Sequence, residues 1–119
     1  MRIERADPRK PKGWYLGPWN SDLGISVGYA NQGIDEPHLH RQTTEIYMVG
    51  RGTSEMQVGH ELVTLSEGDI IVVQPGEAHT FLSSSADYFH FVMHIPGLQG
   101  DEAHADKVAV DARLLGQQP

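Results

Sequence analysis

Residues 33–52 read Gly33-Ile-Asp-Glu-Pro-His38-Leu-His40-Arg-Gln-Thr-Thr-Glu45-Ile-Tyr-Met-Val-Gly-Arg-Gly52. One residue separates His38 from His40, and in an extended strand such neighbours share a face. Their ring nitrogens then lie close enough to grip one ion. Glu45 follows at an odd offset, so it joins that face only if the chain turns between them. The stretch Arg41-Gln42-Thr43-Thr44 can supply that turn. Glu45 would then offer a hard oxygen ligand from the neighbouring strand. A fourth ligand must come from elsewhere, and His79 follows a Pro75-Gly76 turn after the apolar run Ile70-Ile71-Val72-Val73. Each piece alone also has a plainer reading: a solvated histidine pair, a surface glutamate and a turn histidine.

Outward from this stretch the dominant period is two. Ile25, Val27 and Tyr29 alternate with Ser26, Gly28 and Ala30, and Glu45, Tyr47 and Val49 alternate with Ile46 and Met48. Turn signals separate such runs, among them Gly50-Arg51-Gly52, Gly59-His60 and Ser66-Glu67-Gly68. The pattern predicts strands over 14–19, 24–30, 36–41, 44–50, 53–58, 61–65, 69–74, 78–82 and 87–95. Short strands at this spacing make a sandwich or a barrel. Residues 97–119 are polar, with a weak helix or strand signal near Lys107 to Leu115.

The chain has 119 residues, room for one domain of ordinary size. It holds no cysteine, which excludes disulfides, thiolate metal sites and a cysteine nucleophile. Its seven histidines leave imidazole and oxygen as the donors for any metal. Residues 1–12 carry five basic groups (Arg2, Arg5, Arg9, Lys10, Lys12) against Glu4 and Asp7, a net +3, so the remainder carries −10 of the total −7. So acidic a body is a poor nucleic-acid binder. The basic segment reads as a strap or solvated tail, with a nucleic-acid arm as the alternative. The N-terminal residues have no apolar h-region and no run is long enough to span a membrane, so a cytoplasmic location is expected.

The ordered residues resemble the cupins. The family's first motif is a glycine, HxH, three or four residues, Glu, six residues and Gly; this chain has His38, His40, Glu45 and Gly52 at that spacing. Gly33 stands one residue nearer the first histidine than is usual. The second motif appears as Gly68, then Gln74-Pro75-Gly76, then His79 and Ser83, with Gln74 in place of a proline and Ser83 in place of an asparagine. Both departures fall on structural positions. The resemblance spans roughly residues 24–95 and is to the small single-domain bacterial type. It implies an all-β double-stranded β-helix, a jelly-roll barrel over residues 13–97. A basic arm (1–12) and a polar C-terminal extension (98–119) flank it. It also implies a homodimer and a divalent transition metal held by His38, His40, Glu45 and His79.

Three imidazoles and a carboxylate suit Fe, Mn, Zn, Ni, Co or Cu. Four protein ligands leave coordination positions open, as a catalytic site requires. By parity Tyr47, Val49 and Phe81 should line the pocket. Tyr47 is the candidate to bond a ligand or relay a proton, the alternative being a packed barrel aromatic. In the last strand, Phe89, Phe91, Met93 and Ile95 are expected to face the core, which puts His90 and His94 outside the pocket. His60 and His104 are expected in solvent. Lysines occur only at 10, 12 and 107, so the basic groups expected near the pocket are Arg41 and Arg51. This favours a small, weakly charged or aromatic ligand. Two functions remain open: a metal-dependent enzyme (dioxygenase or other oxidoreductase, isomerase, lyase) on a small organic molecule, or a non-catalytic small-molecule or sugar-binding sensor module. Trp14 and Trp19, beside a Gly-Pro, would cover a barrel face or a second subunit.

Overall fold

The computed structural model describes residues 1–34 and 36–117. In chain order the elements are β1 (Lys12–Leu16), β2 (Ser26–Ala30), β3 (His38–His40), β4 (Thr44–Arg51), β5 (Thr53–Val58), β6 (Glu61–Ser66), β7 (Ile70–Val73), β8 (His79–Ser84), β9 (Phe89–Ile95), α1 (Gly100–Asp106) and β10 (Lys107–Ala109), then a 3-10 turn over Ala112–Gln117. They form two five-stranded antiparallel sheets, ordered β1-β2-β9-β4-β7 and β10-β3-β8-β5-β6. This is the all-β jelly roll that the period of two and the motifs imply.

Alternate residues of the strands point between the sheets. Tyr47, Val49, Met56, Leu65, Val73, Phe81 and Tyr88 form one buried apolar cluster at one end of the barrel. The other end is polar and open. Gly52, at φ +77°, makes the β4–β5 turn, and a side chain there would strike Ser85, Asp87 and Tyr88. Gln74-Pro75-Gly76-Glu77 closes with a 3.1 Å bond from Glu77 N–H to Gln74 O, and Gly76 takes φ +85°. That turn delivers His79 to the start of β8.

Element ends differ from the sequence expectation for local reasons. β1 stops at Leu16 because Pro18 has no N–H and the Asn20 side chain accepts from Gly17 N–H at 2.9 Å, making a turn. β3 starts only after Pro37. Helix α1 is short and polar, with no apolar period to announce it, yet its last residue, Asp106, is buried. The segment after it forms β10, an edge strand on β3. Much of the C-terminal extension therefore lies against the barrel; residues 118 and 119 fall outside the described ones. The N-terminal segment is strapped down: Asp7 N–H donates to the Tyr29 hydroxyl at 2.8 Å and Asn31 N–H to Pro11 O at 2.9 Å. Its ion pairs, Arg2–Glu4 and Arg9–Asp7, are internal to the strap.

Candidate metal centre

Glu45 sits at the centre of the open end, 4% exposed, ringed by imidazoles. Its Oε1 lies 2.8 Å from His79 Nε2, 3.2 Å from His40 Nε2 and 3.7 Å from His38 Nε2. Its Oε2 accepts from the Tyr47 hydroxyl at 2.9 Å and lies 2.9 Å from His94 Nε2. The fold brings these groups together through register. His38 is the direct partner of His79 across β3 and β8, and Glu45 is the direct partner of His94 across β4 and β9. Two overlapping sets, His38/Glu45/His79 and His40/Glu45/His94, each hold their ligand atoms within 4.8 Å of one another.

The far nitrogens of three rings are also engaged. His38 Nδ1 donates to Glu36 O, His79 Nδ1 to Glu77 O at 2.9 Å, and His40 Nδ1 contacts Asp106 Oδ2 at 2.7 Å. Carbonyl and carboxylate oxygens only accept, so each ring keeps its proton on Nδ1. In the neutral rings three Nε2 lone pairs then converge on a carboxylate oxygen. Such an array repels itself unless a cation or protons lie within it, and it is the donor set of a divalent transition metal. The residues present fit that group.

Electrostatics follow the same arrangement. Burial alone would raise the Glu45 carboxyl, but the surrounding imidazoles of His38, His40, His79 and His94, which donate to it when protonated, hold it well below its usual value. Burial and the adjacent Glu45 charge push Tyr47 well above 10, so it keeps its proton and donates. Burial opposes charge on His40, yet Glu45 and Asp106 raise its value. His90 is buried among Tyr47, Phe81 and Tyr88, and burial lowers it to about 4. Its Nδ1 meets the Tyr88 hydroxyl at 2.7 Å.

The last strand corrects the sequence expectation. His90 and His94 face the interior, and Phe91 and Ile95 are the exposed residues, at 37% and 42%. Directly paired residues of an antiparallel sheet share a face, so pairing with Glu45, Tyr47 and Val49 turns His94, Val92 and His90 inward. Hydrophobicity pointed the other way because the outer face of this sheet is itself apolar.

A cavity of about 900 Å³ opens at this end. Tyr47 and Phe81 line it, and Val49 lies further along β4 in the apolar cluster. Trp14 and Trp19 stand at the mouth, with Trp14 edge-on to His94 at 5.0 Å between centroids. Gly28 leaves room for the Trp14 ring and Gly17 for the Trp19 ring. Ser26 Oγ, also lining, is buried without a hydrogen-bond partner among the described residues. The basic groups at the mouth are Lys12 and Lys107 rather than Arg41 and Arg51. Both lysines begin strands that border the opening, and Lys107 Nζ pairs with Glu36 at 3.1 Å. Arg41 is exposed, and Arg51 lies over Phe89 on the outer face. His60 is exposed as expected; His104 is exposed too, but borders the mouth. Asp106 and His94 are the site residues that sequence reasoning missed.

Solved structures with this fold include a variant of Streptomyces PAC13 with uridine, at TM-score 0.69 and 16% identity, covering 91% of this chain and 83% of that one. Another structure, of Pac13, a nucleoside dehydratase, aligns at TM-score 0.67 and 14% identity over 92% of each chain. A Cupin 2 conserved barrel domain protein from Salinispora arenicola aligns at 0.64 and 12% identity, covering 98% and 94%. No curated protein sequence matches the chain. A family model described as the cupin domain matches residues 26–95, a span that carries β2 to β9 and every histidine facing Glu45. The chain belongs to the cupin family.

Proposed function

We propose that the protein is a metal-dependent enzyme acting on a small, ring-bearing organic molecule, with the metal held by His38, His40, Glu45 and His79. The observation that carries this reading is the convergence of three Nδ1-anchored imidazoles on Glu45 Oε1. A divalent metal bound there supplies a Lewis acid for an oxygen of the ligand. The chain's own residues do the rest. Tyr47 and His94 hold Glu45 Oε2 and so aim its other oxygen. His94 Nδ1 has no hydrogen-bond partner among the described residues, which leaves this ring free to exchange a proton with a bound molecule. Trp14 and Trp19 offer flat faces to a ring at the mouth, and the Ser26 hydroxyl offers an unused hydrogen bond. Proton exchange beside a Lewis acid favours a lyase or isomerase over a dioxygenase. The nucleoside dehydratase and uridine named for the Pac13 structures support a ring-bearing substrate.

The protein is also read as a homodimer. Ile70, Val72, Phe91 and Ile95 are exposed on the outer face of the β1-β2-β9-β4-β7 sheet, where Ile46, Met48 and Met93 join them. A contiguous apolar face of this kind is unusual on a monomer, and a second copy brings the same face to meet it.

Elemental analysis of anaerobically purified protein tests the function, followed by dehydration, isomerisation and oxygen-uptake assays on nucleosides, sugars and hydroxy acids. Bound transition metal with turnover and no oxygen uptake is expected. Protein that takes up no metal on reconstitution overturns the reading, and tight metal without turnover makes it a binding module.

A further inference from the structure

Of the three Nδ1 anchors in the centre, two are main-chain carbonyls close to their own histidines: Glu36 O for His38 and Glu77 O for His79. The third differs. His40 Nδ1 is held at 2.7 Å by Asp106 Oδ2, a side chain 66 residues away at the end of α1. Asp106 is 4% exposed, and its other oxygen is committed as well. Oδ1 accepts from Gln42 N–H at 2.7 Å and Thr43 N–H at 3.1 Å. Those two N–H groups belong to the corner that carries the chain from His40 in one sheet to Glu45 in the other. Asp106 thus bonds one ligand directly and caps the turn that sets its distance from the next. Arg41 N–H to Asp106 O at 2.8 Å and the β10–β3 pairing hold the segment in place.

We propose that Asp106 is the positioning residue that fixes the His40 tautomer, making the C-terminal segment an integral part of the metal centre. With Oδ1 accepting from two N–H groups, Oδ2 of the carboxylate is the acceptor for His40, so the neutral ring carries its proton on Nδ1 and presents a lone pair at Nε2. The ring is thereby prepared for a metal before one arrives. The direction in which the metal lies rests on the reading given above; the tautomer does not.

Asp106→Asn separates this role from a structural one. The amide oxygen still accepts from Gln42 and Thr43, which keeps the corner intact. Its NH2 then faces His40 Nδ1 and donates, so the ring proton moves to Nε2 and the lone pair leaves the metal side. Long-range 15N–1H correlation spectra of metal-free protein, at alkaline pH where the rings are neutral, read this directly. The expected result is a proton on Nδ1 of His40 in the wild type and on Nε2 in Asp106→Asn. Zinc affinity by competition with a chelating dye is expected to fall about 10–100-fold in the variant, with the metal-free melting temperature little changed. A proton on Nε2 in the wild-type neutral ring overturns the proposal, whatever the variant does. So does an unchanged zinc affinity in a variant whose tautomer has switched. Wild-type protein that binds no zinc but shows the Nδ1 proton refutes the metal reading and leaves the tautomer assignment standing.

Discussion

Glu45 Oε2 and His94 Nε2 lie 2.9 Å apart because the two residues are direct partners across β4 and β9. Tyr47, two residues along β4, reaches the same oxygen. The carboxylate is therefore divided. Oε1 faces His38, His40 and His79, and Oε2 is held by donors. His94 is an imidazole against the centre whose second nitrogen lacks the anchor that the other three possess.

That difference predicts a difference in consequence. His94→Leu should weaken metal binding by about 10–100-fold, the range for groups that orient a ligand, without abolishing it. His94→Gln should recover much of the loss, since its amide still donates to Glu45. Isothermal titration with cobalt or zinc checks this. Loss of binding in His94→Leu as complete as in His79→Ala would show His94 to be a ligand.

Removal of a true ligand acts on stability and occupancy together. The wild type at metal concentrations about a thousandfold above Kd should gain about 4 kcal/mol over the chelated protein. In His79→Ala that gain should largely vanish, along with the bound metal measured after dialysis. A variant that keeps its metal removes His79 from the centre.

His90 governs part of the acid response. Its folded value of about 4 lies below the roughly 6.5 of an unfolded chain. The unfolded state therefore binds a proton that the folded ring refuses. The stability this protects is intact above about pH 6.5 and drains as pH falls towards the folded value, by about 3 kcal/mol in all. His90→Gln keeps a partner for Tyr88 and does not titrate. Urea unfolding at neutral pH and near pH 4.5 should show the wild type losing more than the variant by about 2–3 kcal/mol. Equal losses would mean that the ring is protonated in the folded state.

The outer apolar face predicts assembly. Light scattering at micromolar concentration should give the mass of two chains, and Phe91→Glu, at a position 37% exposed, should give one chain without loss of secondary structure. A wild-type monomer refutes the dimer.

Much of this was legible along the chain. The barrel was, because a period of two and glycine-bounded turns are local. The proximity of His38 to His40 was, because residues two apart in a strand share a face. The Gln74–Glu77 turn before His79 was also readable. The strand expected to 19 ends at Leu16, where Pro18 and the Asn20 side-chain bond override an apolar run, and the strand expected from 36 starts only after Pro37. Helix α1 was invisible, since seven residues without a large apolar side chain carry no periodic signal.

The sequence alone determined the all-β architecture and the four residues His38, His40, Glu45 and His79 as one candidate set. The architecture depends on spacing within strands and on turns of a few residues, and the four-residue set on the resemblance of those spacings to the cupin motifs. The tertiary structure alone decided which side of β9 faces the cavity and that Asp106 reaches His40. The physical reason is register. A strand with histidines on one face and phenylalanines on the other can bury either face. Only its pairing with Glu45 on one neighbour and Ser26 on the other sends the histidines inward.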